Sequence, residues 1–251
     1  MRMLRLLLIA AALLAFWEAG TWLGDVPFYM LPPPSRVAGA LFDNAGLLLS
    51  HAAATLAEIV LGLVVGTLLG CLSGLALARF AAARKLLLPV LVVSQAIPVF
   101  ALAPILVLWL GFGLASKIAM AALVIYFPIA SAFYDGLRRT EPGWLELART
   151  MSASPAAILL QIRLPAALPA LASGLRVAAA VAPIGAVIGE WVGAASGLGY
   201  LMTLSMGRGQ TDMAFAALFV LAVLGLTLFY AVDAGLRRLV PWQRESVALS
   251  D

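Results

Sequence analysis

The sequence predicts an all-α integral membrane protein of about six transmembrane helices, and three observations carry that expectation. Of 251 residues, 64% are hydrophobic and only 11% charged, against roughly 25% charged in a soluble domain. The apolar residues fall in runs of about 20, the length a helix needs to cross roughly 30 Å of hydrocarbon. Those runs do not alternate in polarity: from Ile118 to Ala130 apolar residues follow one another, whereas each strand of a membrane barrel shows about 10 alternating residues. That excludes a barrel.

The length rule places spans at Leu4–Gly24, Ala57–Ala78, Leu87–Phe112, Lys117–Leu137, Leu168–Gly189 and Met213–Gly235. Arg2 and Arg5 before the apolar stretch Leu6–Trp17 also fit a signal peptide, but no small-x-small cleavage site follows, so an uncleaved first helix is the simpler reading. Between the first two spans, Pro32, Pro33 and Pro34 precede Ser35, a candidate helix cap, and Val37, Leu41 and Phe42 follow at helical spacing. This outer segment, Asp25 to Glu58, reads as a short interfacial helix or as a plain connector.

Lys and Arg are retained on the cytoplasmic side of short loops. With the N-terminus inside, Arg2, Arg5, Arg79, Arg84, Lys85, Arg138, Arg139, Arg149, Arg163, Arg237, Arg238 and Arg244 fall inside, and Arg36, Lys117 and Arg208 outside, 12 against 3. Both termini are therefore expected in the cytoplasm. The same asymmetry accounts for the net charge of +4 without a nucleic-acid partner.

The second span carries Gly62, Gly66, Gly70 and Gly74, four residues apart on one helix face. Such a face lets another backbone approach closely. Gly185, Gly189 and Gly193 repeat the device around the end of the fifth span, while Pro89, Pro98 and Pro104 interrupt the third. Irregular backbone at membrane depth is tolerated where it faces protein or a cavity, so these two spans are candidates for lining a pathway, ordinary kinks being the alternative.

The stretch Arg138–Pro165 is the longest one on the inner side. Thr140 is placed to cap a helix with Pro142 in its first turn, and Trp144, Leu147, Ala148 and Met151 give it one apolar face. Ser154 followed by Pro155 reads as a second cap, and Pro155, Ile158, Leu159 and Ile162 form a second stripe. The expected product is a helical hairpin, which taken alone fits a partner-docking element or two interfacial connectors.

Glu146, Leu147 and Ala148, then Ser152 after three residues, then Ile162, Leu164 and Pro165 after nine more, resemble the signature of permease subunits of binding-protein-dependent ABC importers. In that family the pattern is Glu-Ala-Ala, three residues, Gly, nine residues, Ile-x-Leu-Pro. Leu147 stands for the second Ala and Ser152 for the Gly, and the spacing agrees at every anchor. The resemblance extends through Leu31–Ser35 and Ala182–Tyr200, and is similar to the subfamily of sulfonate, taurine, nitrate and thiamine-precursor permeases. Gly189–Gly193 with Gly197–Met202 looks most like permeases for hydroxymethylpyrimidine-type precursors or riboflavin.

The resemblance implies a type I ABC importer permease fold over one domain, 1–251, with the first span and outer segment at 1–56, core spans at 57–240 and a coupling loop at 138–165. It also implies a permease homodimer, two ABC ATPase subunits inside, and a periplasmic or lipid-anchored substrate-binding protein outside. Glu146, Leu147, Ala148, Ser152, Ile162, Leu164 and Pro165 would then couple the chain to its ATPase.

Charges near the membrane are costly and functional by default. Glu18 is expected to be interfacial or paired. Arg176 and Glu190 are the candidates for a pathway or gate. They lie 14 residues apart, about 21 Å along one helix, too far to pair; Arg176 is expected to snorkel or meet an anionic substrate, and Glu190 to sit at the outer mouth beside Trp191. One histidine, His51, and one cysteine, Cys71 in an apolar run, leave no metal cluster and no internal disulfide. Lys85 and Lys117 are the only lysines, and neither stands in a Gly-Lys-Ser or Gly-Lys-Thr loop. ATP and Mg are therefore expected on the partner ATPase, with no cofactor on this chain. A secondary transporter or channel would call for more buried ionisable residues, and a membrane enzyme for more catalytic material.

Overall fold

A computed structural model describes residues 2–242, apart from the side chains of 2–4, 6 and 7. Arg244 and the chain end therefore lie outside the described residues. The architecture is all-helical: α1 (Arg2–Leu23), α2 (Pro34–Asp43), α3 (Ala45–Arg79), α4 (Ala81–Ala96), α5 (Val99–Leu110), α6 (Leu114–Arg138) and α7 (Pro142–Thr150) come first. A short α8 (Pro155–Ala157) then passes through a π-helical turn (Ile158–Arg163) into α9 (Leu164–Trp191), followed by α10 (Leu198–Gly207) and α11 (Thr211–Leu239).

Among the described residues four helices are long and apolar enough to cross a membrane: α3, α6, the continuous 155–191 helix and α11. The α4–α5 pair is a fifth candidate, bent by 107°. The bend falls at Pro98, which has no N–H for the helix ladder and forces Ile97 into extended backbone at φ −85° and ψ 120°. Each of the six expected spans lies on these helices or on α1, but the third is two helices, and the second begins at Ala45 rather than Ala57.

Helix α6 is the centre of the molecule, held between two faces of small residues. On one side Gly62, Gly66, Gly70 and Gly74 of α3 lie against Ala121, Ile125, Ile129 and Phe133. A Cβ at Gly62 would stand 2.5 Å from that of Ala121, and one at Gly70 would stand 2.8 Å from Ile129 Cγ2. On the other side, Cβ atoms at Gly174 and Gly185 of α9 would stand 2.8 Å from Pro128 O and from Ala121 Cα. Only glycine permits both backbones to come this near. The α6 side chains Ala121, Ile125, Ile129 and Ala130 are consequently fully enclosed. Helix α11, by contrast, presents Phe219, Val223, Leu226 and Tyr230 outward, the surface a lipid solvent requires.

At the end of the bundle away from the basic loops, α2, α3, α10 and α11 share an apolar cluster built on Val37, Leu48, Leu198 and Met213. Ser35 does not cap α2 with its own side chain. Instead Glu18 of α1 reaches its N-terminus, accepting from Ser35 N at 3.0 Å and from Ser35 Oγ at 2.8 Å. A carboxylate there meets the positive end of the helix dipole, so Glu18 is a capping group between two helices.

Candidate functional site

The hairpin at the basic end closes on its own backbone. Thr140 does not cap α7: its hydroxyl donates to Leu137 O, and the N-cap is Glu141, with Pro142 opening the helix. Helix α7 ends with Ala153 N–H donating to Ala148 O and Ser152 N–H to Arg149 O. These two bonds are the Schellman closure, whose turning residue must be left-handed. Ser152 occupies that position at φ 57°, which gives a physical reason for the glycine in the signature it resembles. Ser154 Oγ then accepts from Ala157 N at 3.2 Å, with Pro155 at the first helical position.

The second arm is not a separate helix. It continues through the π turn, where Leu164 N–H donates to Leu159 O, so one 37-residue helix runs from Pro155 to Trp191. The extra residue per turn disturbs the stripe expected over Pro155–Ile162.

The expected apolar face of α7 is open rather than packed. Trp144, Leu147 and Met151 are 52%, 62% and 74% exposed, and with Ile162, Pro165 and Trp242 they line a groove of about 470 Å³. Of the seven signature residues, Leu147, Ala148, Ile162 and Pro165 meet in that groove. Leu164 packs beside Phe133 and Leu137, Ser152 makes the turn, and Glu146 is exposed without a hydrogen-bond or ion-pair partner among the described residues. The result is a capped, rigidly joined hairpin presenting an apolar groove beside a free carboxylate.

At the opposite end the structure assembles a buried polar cluster that linear reading does not bring together. Lys117 of α6 pairs with Glu58 of α3 at 2.8 Å. Glu190 is 1% exposed, not an interfacial carboxylate: it accepts from Thr55 Oγ1 at 2.6 Å and from Gly199 N. Thr55 Oγ1 in turn accepts from Leu198 N at 2.8 Å, and His51 Nδ1 from Gly197 N at 3.0 Å. Three successive backbone N–H groups at the start of α10 are thus held by side chains of α3 and α9. Gly197 sits at φ 111° with the Glu190 carboxyl directly over its α-carbon, so no side chain fits there. The sequence signal was available in isolated charges beside apolar runs, which must find partners.

Arg176 is committed to Asp233 of α11 at 2.6 Å, and Asp233 also accepts from Arg237 at 2.9 Å. This pairing replaces the snorkelling or substrate-facing placement expected for Arg176, with a partner, Asp233, that lies 57 positions away on another helix. A further hollow of about 630 Å³ lies between the α4–α5 region, α6 and α9, lined by Gln95, Ser131, Ser173, Phe127 and Val177 among others, none of them charged.

Residues 45–245 match the family described as binding-protein-dependent transport system inner membrane component. A "Probable ABC transporter permease protein" of Haemophilus influenzae is 53% identical over 95% of this chain and 98% of its own length. The formylaminopyrimidine transport permease protein ThiX of Halalkalibacterium halodurans is 38% identical over 93% of each chain. The riboflavin transport system permease protein RibX of Chloroflexus aurantiacus is 38% identical over 92% of this chain and 87% of its own. In fold, the chain resembles a subunit of the MetNI methionine ABC transporter, with a TM-score of 0.68 at 23% identity over 78% of this chain and 98% of that one. The chain belongs to the inner-membrane component family of binding-protein-dependent transport systems, and is the multi-pass permease of an ABC importer, a transport subunit rather than a catalyst that works with an ATPase and a binding protein.

Proposed function

We propose that this permease carries a small, uncharged heteroaromatic solute of the hydroxymethylpyrimidine type, a thiamine precursor, into the cell. The observation that carries the reading is the uncharged hollow on α6 and α9, where Gln95, Ser131 and Ser173 offer hydrogen bonds among apolar side chains. A sulfonate, taurine or nitrate pathway calls for an unpaired cation, and Arg176 is already neutralised by Asp233. The 38% identity to the ThiX and RibX permeases, against 31% to the Escherichia coli taurine permease TauC, supports the same choice.

In this reading two copies face each other across that hollow, both termini lie in the cytoplasm, and ATP with Mg acts on the separate ATPase pair. Closure of the ATPases moves the two hairpins together, and a rigid hairpin joined without a break to α9 passes that displacement to the pathway. Glu146, Leu147, Ala148, Ile162 and Pro165 form the contact surface, with Ser152 and Leu164 holding its shape.

The test is uptake by the complete complex in proteoliposomes with its binding protein. ATP-dependent accumulation of labelled hydroxymethylpyrimidine or formylaminopyrimidine, without taurine, is the expected result. Taurine accumulation without pyrimidine would overturn the substrate. Alkaline phosphatase fused after Asp251 is expected to be inactive, and after Asn44 active; the reverse would overturn the orientation.

A further inference from the structure

Between the end of α3, helix α7 and the π turn lies a cavity of about 310 Å³ with Arg79, Arg149 and Arg163 in its wall. Its remaining lining is apolar, including Ala78, Leu145 and Ile158, and holds no acidic residue. Nearby, Arg138 and Arg139 both lie by Asp135, and Arg237 pairs with Asp233. Arg149 and Arg163 have no carboxylate partner among the described residues. Arg163 Nε is enclosed and has no hydrogen-bond acceptor. A buried N–H normally has a partner, and three like charges around one hollow repel unless an anion lies between them.

We propose that this cavity binds the phosphate of an anionic phospholipid of the inner leaflet. The guanidinium fork suits phosphate oxygens in particular. The cavity lies beside Arg79, the last residue of the 35-residue spanning helix α3. A helix of that length outruns the roughly 30 Å hydrocarbon core and so reaches toward the headgroups, and the apolar half of the cavity would receive the glycerol end of a lipid. Basic pockets between spanning helices on the cytoplasmic side are suited to such headgroups. A phosphate held here bridges Arg79 of α3, Arg149 of α7 and Arg163 of the π turn, and so ties the hairpin to the bundle. The proposal rests on the cytoplasmic placement of this end.

Native mass spectrometry of the full chain in neutral detergent, titrated with phosphatidylglycerol or phosphatidylcholine, tests it independently of substrate and orientation. Preferential retention of phosphatidylglycerol is expected. Arg163→Gln should weaken it by about fivefold, the share of one cation near a lipid phosphate. Arg149→Gln, on the exposed α7, should do the same, which guards against a folding defect in the first variant. Arg208→Gln, at the other end, should leave retention unchanged. Equal retention of the two lipids, or wild-type retention by both pocket variants, overturns the site. Displacement by equimolar inorganic phosphate makes it a free-anion site, and loss of lipid when the ATPase is added assigns the arginines to that subunit; either result overturns the lipid as occupant.

Discussion

Lys117 Nζ stands 2.8 Å from Glu58 Oε1, with side chains 9% and 2% exposed. Glu58 Oε2 has no hydrogen-bond partner, and Glu190 lies alongside within electrostatic reach. Lys117 is the only cation paired with Glu58 among the described residues. Removing one partner of a buried pair strands the other charge, at about 3–5 kcal/mol. Lys117→Met is expected to lower stability in detergent by that amount, and Glu58→Gln together with Lys117→Met to recover most of it. Thermal unfolding followed by circular dichroism decides the point; equal stability of the single variant and wild type would show that the pair contributes nothing.

The α3–α6 seam has no room for a methyl group at Gly62, where the new Cβ would meet Ala121 Cβ at 2.5 Å. Overpacking of this kind costs about 1–3 kcal/mol. Gly62→Ala should destabilise by that amount and Ala121→Gly should relieve it in the double variant. Gly66→Leu drives a whole side chain into Ile125 and should abolish assembly; normal membrane yield of that variant would contradict the seam.

Ser152 turns the hairpin at φ 57°, a conformation that costs a residue with a Cβ roughly 1–2 kcal/mol. Glycine lacks that penalty but loses more backbone freedom on folding. Ser152→Gly is therefore expected to stabilise the hairpin by about 0.5–1 kcal/mol, read as slower amide exchange at Ala153. Faster exchange would mean that the serine side chain supports the turn.

Glu146 lies exposed beside an open apolar groove. Truncating one partner of a charge pair that becomes buried at an interface costs about 2–5 kcal/mol, tens to thousands of fold in docking. Glu146→Ala should leave the permease folded while reducing both ATPase association and uptake. Glu141→Ala, at the N-cap of α7, changes only a helix-dipole contact of under about 1 kcal/mol. Equal ATPase retention by the two variants in co-purification would reduce the hairpin to a connector.

What the sequence determined by itself is what depends on chain-local physics. Apolar runs of bilayer length specify spanning helices, and Ser154 with Pro155 specifies the start of the second hairpin arm, because each acts through its own backbone or near neighbours. Of the three prolines expected to interrupt the third span only Pro98 breaks it, Pro89 and Pro104 lying inside α4 and α5. The glycine spacing on α3 likewise implied a close partner. Only the tertiary structure decided which helix that is, since α6 is chosen by the match of both its faces to two small-residue seams. The same holds for Glu58 with Lys117 and for Thr55 with Glu190, 59 and 135 positions apart along the chain, which pair only once α3, α6 and α9 have packed. The pairing of Arg176 with Asp233 is of that kind too. A charge in an apolar helix announces that it needs a partner, but the partner's identity depends on helix rotation and depth, which are properties of the packed bundle.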